Sequence, residues 1–91
     1  MAAKALQSMG QVGDYEIRLL RVFKTVVECG GFSAAEVELN ISRSTISVHM
    51  SNLEARLKLK LCQRGRSGFA LTEEGLTIYN ATRQLFSRLA E

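Results

Sequence analysis

Apolar residues recur along this chain with three different rhythms. Ile17, Leu20, Phe23, Val26 and Val27 fall three, three, three and one apart, which predicts a helix over residues 14–29 with one face toward a core. Asp14 is placed to cap its start, and Gly30-Gly31 to end it, since a left-handed residue after a helix costs glycine almost nothing. Before it, residues 1–13 have little periodicity and two glycines and read as a flexible N-terminal tail. After it, Ser33-Ala34-Ala35-Glu36 has the form of a capping box, with Phe32 in front as a hydrophobic staple. Asn40-Ile41 interrupts that short helix, and Ser42 supplies a fresh N-cap. Ile46, Met50, Leu53 and Leu57 then recur at spacings of four, three and four, a stripe along one face of a second helix. Residues 33–52 thus read as two helices meeting at a tight corner, a helix-turn-helix.

Beyond Leu57 the period shortens to two. Leu59 and Leu61 alternate with Lys58 and Lys60, and Phe69 and Leu71 flank Ala70. Between these runs lies Gln63-Arg64-Gly65-Arg66-Ser67-Gly68. The pattern predicts a two-stranded hairpin over residues 59–71, a wing with a basic tip. Thr72 caps a last helix, with Glu73 and Glu74 suited to its positive end. On that helix Leu76, Tyr79, Phe86 and Leu89 lie near one face and Ile78 and Leu85 near another, more apolar surface than a small domain covers easily. Packing back on the first helix is one outlet for that surface. Dimerisation through Tyr79, Leu85, Phe86 and Leu89 is the other, and is favoured for the part from Arg83 onward. A helix that stops without a C-cap also suggests a chain cut inside a longer one.

The predicted architecture is mainly α: a winged helix-turn-helix with a three-helix core and a two-stranded β wing, followed by a long linker helix. Its divisions are the tail 1–13, a winged helix-turn-helix domain 14–72, and a linker and dimerisation helix 73–91.

The corner's second helix leaves a polar face over. At about 100° per residue, Ser44, Val48, Ser51 and Ala55 point away from the apolar stripe, with Thr45 and Asn52 beside them. A helix entering a DNA major groove needs short side chains where backbones approach and hydrogen-bonding groups that meet base edges. Helix-turn-helix corners also serve as plain structure, so the pattern alone leaves reader and scaffold both open.

Charge tilts the balance. The 91 residues carry a net charge of +3, and it is unevenly placed. Residues 42–72 hold Arg43, Arg56, Lys58, Lys60, Arg64 and Arg66 against Glu54 alone, while the segments on either side are each net −1. A basic block on the second helix and the wing is what phosphate recognition requires. Arg64 and Arg66 at the tip are placed to reach phosphates or a narrow minor groove.

Other chemistry is sparse. Cys29 and Cys62 lie among apolar neighbours without metal-like spacing, and read as buried, reduced thiols. The single histidine, His49, sits at the edge of the apolar stripe with no carboxylate pair, serine partner or metal set beside it, so no enzymatic activity is expected. No cofactor or metal site is expected either. No apolar run reaches spanning length and no signal peptide opens the chain, which points to a cytoplasmic protein.

Taken in order, these segments resemble the N-terminal DNA-binding domain of LysR-type transcriptional regulators. The resemblance runs from about Leu19 to Leu89. It is carried by Leu20-Arg21-Val22-Phe23, Gly31-Phe32-Ser33-Ala34-Ala35, Leu39-Asn40-Ile41-Ser42, Ser44-Thr45-Ile46-Ser47, Leu53-Glu54-Ala55-Arg56-Leu57, Arg64-Gly65-Arg66 and Leu71-Thr72-Glu73-Glu74-Gly75. It implies a bacterial regulator that binds double-stranded DNA as a homodimer, at an interrupted palindromic operator, and is associated with the nucleoid when bound. Residues 42–57 would be the recognition helix in the major groove, and the wing would lie on backbone or minor groove. The resemblance also implies a C-terminal effector-binding domain that this chain lacks. Base-reading positions carry over to Arg43, Ser44, Thr45, Ser47 and Val48, the wing arginine to Arg64, and a phosphate-facing helix start to Ser33. With Ser42, Asn52 and Arg66 these complete the expected DNA-facing set.

Three positions depart from the family pattern. Val48 stands where many members have arginine, so it can touch a thymine methyl but not bond guanine. Arg43 stands where glutamine is common, and Lys58 replaces the glycine that usually ends the recognition helix. A winged-helix protein-interaction module that never reads DNA is the alternative, and the basic block argues against it.

Overall fold

A computed structural model describes residues 13–65 and 68–90. In chain order it contains α1 (Asp14–Cys29), α2 (Phe32–Leu39), α3 (Arg43–Leu57), β1 (Cys62–Gly65), β2 (Gly68–Leu71) and α4 (Glu73–Ala90). The two strands pair antiparallel, Cys62 opposite Leu71 and Gly65 opposite Gly68. This is a winged helix-turn-helix followed by a long helix. Apart from Gly13, the expected tail lies outside the described residues.

One core joins every element except the outer wing. Leu19, Leu20, Phe23 and Val26 of α1, Ile46 and Leu53 of α3, Leu61, and Ile78 of α4 have no exposed surface. The α3 stripe is buried as its spacing predicts, with Met50 and Leu57 at 3% and 4% exposure. On α1 the face turns slightly from the predicted one. Leu19 and Val22 are buried, while Ile17 and Val27 are only half-buried.

Two helix starts come earlier than expected, one by a single residue and the other by two. Gly13, not Asp14, is the N-cap of α1, and the Glu16 carboxylate reaches back to accept from the Gly13 amide at 3.0 Å. Asp14 therefore joins Glu16 in the first turn, where negative charge meets the helix dipole favourably. The capping box at Ser33 does not form, because α2 begins at Phe32 with Gly31 as its N-cap. Phe32 is 4% exposed and its ring lies 6.3 Å from that of Phe69. Burying this ring carries Phe32 into the first turn and leaves Ser33 one position inside the helix. The turn between α1 and α2 has no residues to spare. Gly30 is left-handed (φ 82°), its amide donates to the Val26 and Val27 carbonyls, and the Gly31 amide also donates to Val26.

At the corner, Asn40 adopts a left-handed conformation (φ 56°) and its amide donates to Glu36. Ser42 then caps α3 as predicted, its hydroxyl accepting from the Thr45 amide at 3.1 Å. α3 ends on Lys58, left-handed at φ 58° without being glycine.

The wing forms three residues later than its alternation predicts. The Leu59 amide donates back to the Glu54 carbonyl, and the Leu61 amide to the Glu54 carboxylate at 2.8 Å. Those donors are satisfied by the helix end, so residues 58–61 turn a corner instead of pairing as a strand. Gln63, Arg64, Gly65 and Gly68, expected in a loop, are ladder residues.

Thr72 closes the unit. Its amide donates to the Leu61 carbonyl at 3.0 Å, and its hydroxyl accepts from the Gly75 amide at 2.9 Å, capping α4. Gly75 itself presses on the same strand start, and a Cβ there would lie 2.0 Å from the Leu61 carbonyl oxygen. From α4, Tyr79, Leu85 and Phe86 are half-buried against the core. The Tyr79 hydroxyl donates to Glu28 at 3.0 Å, and the Arg21 guanidinium lies 4.9 Å from the Phe86 ring centre. Part of the apolar surface of α4 thus packs back on α1. The side chain of Leu89 lies outside the described residues, and Leu76 is 51% exposed. The Lys24 ammonium, hydrogen-bonded to Glu28, holds that carboxyl below its ordinary range despite an opposing effect of desolvation; the Tyr79 hydroxyl also lowers it. Burial, with the Glu28 carboxylate as a second cause, pushes the Tyr79 hydroxyl up.

Candidate nucleic-acid interface

The face of α3 that turns away from the core is made of small groups. Ser44, Ser51 and Ala55 are exposed, and so is Val48 at 56%. Thr45, Ser47 and Asn52 flank them, half-buried. No acidic residue occupies the first turn, so the positive end of the helix is not offset by a carboxylate of its own.

The N-terminal end of α3 gathers several expected site residues. Arg43 donates to the Ser33 hydroxyl at 3.3 Å, tying the start of α3 to the start of α2. The hydroxyls of Ser42 and Thr45 lie 2.9 Å apart. Ser33 with Arg43 and Ser42 with Thr45 therefore make two hydrogen-bonded pairs at the corner, close to two helix N-termini. Such an arrangement can hold a phosphate oxygen while the adjacent face meets base edges.

Asn52 stands apart from those pairs. Its amide nitrogen donates to the Tyr15 hydroxyl at 2.8 Å, so α1 sets its orientation. Beside it the Arg56 guanidinium lies 4.8 Å from the Tyr15 ring centre and donates to Glu16 at 2.7 Å. Neither Tyr15 nor Arg56 was among the expected site residues. Tyr15 precedes the periodic part of α1, and a helical wheel of α3 alone does not show what lies beside it.

On the opposite flank Glu54 organises the approach to the wing. Its carboxylate accepts from the Leu61 amide and, at 3.4 Å, from the Cys62 amide, with Lys60 3.9 Å away. The one acid of the basic block is thus spent on backbone donors. Arg64 lies in β1 opposite Phe69; its side chain, and Arg66 altogether, lie outside the described residues.

His49 is half-buried, and its Nδ1 is buried without a hydrogen-bond partner among the described residues. It lines a shallow concavity of ≈ 410 Å³ between α1 and the corner, with Ile17, Arg18, Arg21 and Ile41. Cys62 is buried and Cys29 half-buried. Among the described residues no three His, Cys, Asp or Glu side chains are grouped to hold a metal ion, and no helix is long and apolar enough to cross a membrane.

A corner of two helices, an outward face of small side chains and an adjoining wing define a winged helix-turn-helix of the nucleic-acid-binding kind. Residues 17–76 match the family described as bacterial regulatory helix-turn-helix protein, lysR family. The chain is 61% identical over 89 residues to the HTH-type transcriptional activator BauR of Pseudomonas aeruginosa, covering 98% of this chain and 29% of that protein. Its fold is similar to the DNA-binding domain of BenM in complex with catB site 1 DNA, with a TM-score of 0.78, 35% identity, and coverage of 82% of this chain and 81% of that one. It is similar also to the DNA-binding domain of CbnR in a DNA complex, with a TM-score of 0.78, 32% identity, and coverage of 82% and 86%. The chain belongs to the LysR family of bacterial transcriptional regulators, and its helix-turn-helix is that family's DNA-binding domain, a binding role and not an enzymatic one. It spans less than a third of the length of BauR.

Proposed function

We propose that this domain binds double-stranded DNA sequence-specifically, with α3 in the major groove and the wing against the backbone or adjoining minor groove. The observation that carries the reading is the exposed face of Ser44, Val48, Ser51 and Ala55, small enough for close approach, on a helix without acid in its first turn. Ser33, Ser42 and Arg43 position the corner on phosphates, and Arg64 and Arg66 extend that contact from the wing. Ser44, Thr45, Ser47 and Val48 meet base edges, with Asn52 at the far side of the face. Arg43, should its guanidinium leave Ser33 for a base, favours guanine, and Val48 favours a thymine methyl.

Two copies joined through α4, with Leu85, Phe86 and Leu89 in the contact and Tyr79 at its near end, present two recognition helices to an interrupted palindrome. In this reading residues 14–72 form the DNA-binding unit and 73–91 the linker that leads to an effector-binding domain in a longer, cytoplasmic regulator.

Selection of bound duplexes from a random pool tests the whole reading. Paired half-sites related by two-fold symmetry are the expected result, and a pool without enrichment overturns it. On the selected duplex, Arg64→Ala is expected to lower the slope of log affinity against log salt by about 0.9, the amount one phosphate contact contributes. An unchanged slope removes Arg64 from the backbone contacts.

A further inference from the structure

We propose that Tyr15, Asn52 and Arg56 form a binding site for a DNA backbone phosphate on the α1 flank of α3. The proposal rests on the major-groove reading above and adds to it a contact made by α1. A helix about 10–12 Å across fills a groove about 12 Å wide, so the flanks of the helix meet the phosphate walls. At about 100° per residue, Asn52 and Arg56 lie on the flank of the reading face, on the side covered by α1. The wing serves the opposite flank.

The site is a concavity of ≈ 390 Å³ lined by Tyr15, Asn52, Ala55 and Arg56. Tyr15 and Arg56 both have donors to spare there. The Tyr15 oxygen accepts from Asn52 at 2.8 Å, which leaves its own hydrogen to donate elsewhere. The Arg56 guanidinium uses one of its five N–H groups on Glu16 and keeps 44% of its side chain exposed. Glu16 sits behind, 16% exposed, with one oxygen on Arg56 and the other on the Gly13 amide. The carboxylate orients the guanidinium from the inner side, and the stacked Tyr15 ring limits its swing. An arginine held this way loses little freedom on meeting a phosphate.

Fluorescence-anisotropy titrations of the 91-residue chain over a salt series test the proposal, on the selected duplex and on random duplex. Arg56→Gln is expected to lower the salt slope by about 0.9 and to weaken binding to both duplexes alike. Tyr15→Phe, which keeps the ring under Arg56, is expected to lose roughly ten-fold or more in affinity, the range of one hydrogen bond to a charged group. Glu16→Gln gives the sign that separates phosphate binding from mere bracing of α3. It removes a charge that repels phosphate and keeps a side-chain oxygen to accept from Arg56 and hold its orientation, so binding tightens; bracing through the ion pair alone predicts weaker binding. A neutral methylphosphonate placed singly along the duplex should weaken the wild type at several positions per half-site, and at one of them leave Arg56→Gln indifferent. An unchanged slope in folded Arg56→Gln, or weaker binding by Glu16→Gln, overturns the site while leaving the major-groove reading intact. Failure of the wild type to bind any duplex overturns both.

Discussion

At its N-terminal end α3 has a neutral serine cap, an arginine reaching across to α2, and no acid in the first turn. Toward its C-terminal end two carboxylates close in, Glu16 from α1 and Glu54 from α3 itself. The N-terminal end is tied to α2 through Arg43 and leaves Ser44 and Val48 exposed. The C-terminal half is anchored on both flanks, to α1 through Arg56 and to the start of the wing through the Leu61 and Cys62 amides. Each carboxylate is engaged by donors of the fold, Glu16 by Arg56 and the Gly13 amide and Glu54 by the Leu61 and Cys62 amides. One helix is thus divided between an open end and a fixed end that sets its angle.

Gly75→Ala attacks the fixed end most directly. Its Cβ would meet the Leu61 carbonyl oxygen at 2.0 Å and the Leu71 side chain at 3.0 Å. A backbone clash of this kind is expected to cost about 3 kcal/mol, visible as a large drop in melting temperature; an unaltered melt would mean that the junction yields freely. Glu54→Ala comes next, expected to cost about 2 kcal/mol because it strips the acceptor from the Leu61 and Cys62 amides. Hydrogen exchange at those two amides should accelerate well beyond that in α1, and uniform exchange would show that Glu54 does not anchor the wing.

Ser42→Ala tests the open end and should cost about 1 kcal/mol in a denaturant titration. A loss as large as that of Glu54→Ala would erase the distinction between the two ends. The smallest effect has the opposite sign. Lys58 holds a left-handed conformation (φ 58°) that glycine adopts without penalty, so Lys58→Gly should stabilise by up to about 1 kcal/mol. A destabilised variant would show that the Lys58 side chain contributes more than its backbone strain costs.

Sequence reading located the helices well where apolar spacing and capping chemistry agree, as at Ile46, Met50, Leu53 and Leu57 with Ser42 in front. It missed where one local signal competed with a distant contact. Ser33 and Glu36 have the spacing of a capping box, but burial of Phe32 against Phe69 shifts the helix start past it. Leu59 and Leu61 alternate like a strand, yet Glu54 takes the Leu61 amide, and the alternation fills the core instead. In the candidate site, the exposed positions of α3 followed from helical periodicity alone. Tyr15 and Arg56 did not, since their meeting joins residues about forty apart along the chain.

Periodicity, glycine placement and charge distribution by themselves determined a winged helix-turn-helix with its basic block on α3 and the wing, and the ordered motifs carried its resemblance to the LysR family, because each depends on residues close in sequence. Only the tertiary structure decided which backbone donors Glu54 satisfies, where the wing begins, how α4 divides its apolar surface, and which residues of α1 border the reading helix. Those outcomes rest on contacts between distant segments, where burial of a ring or capture of an amide outweighs the local preference.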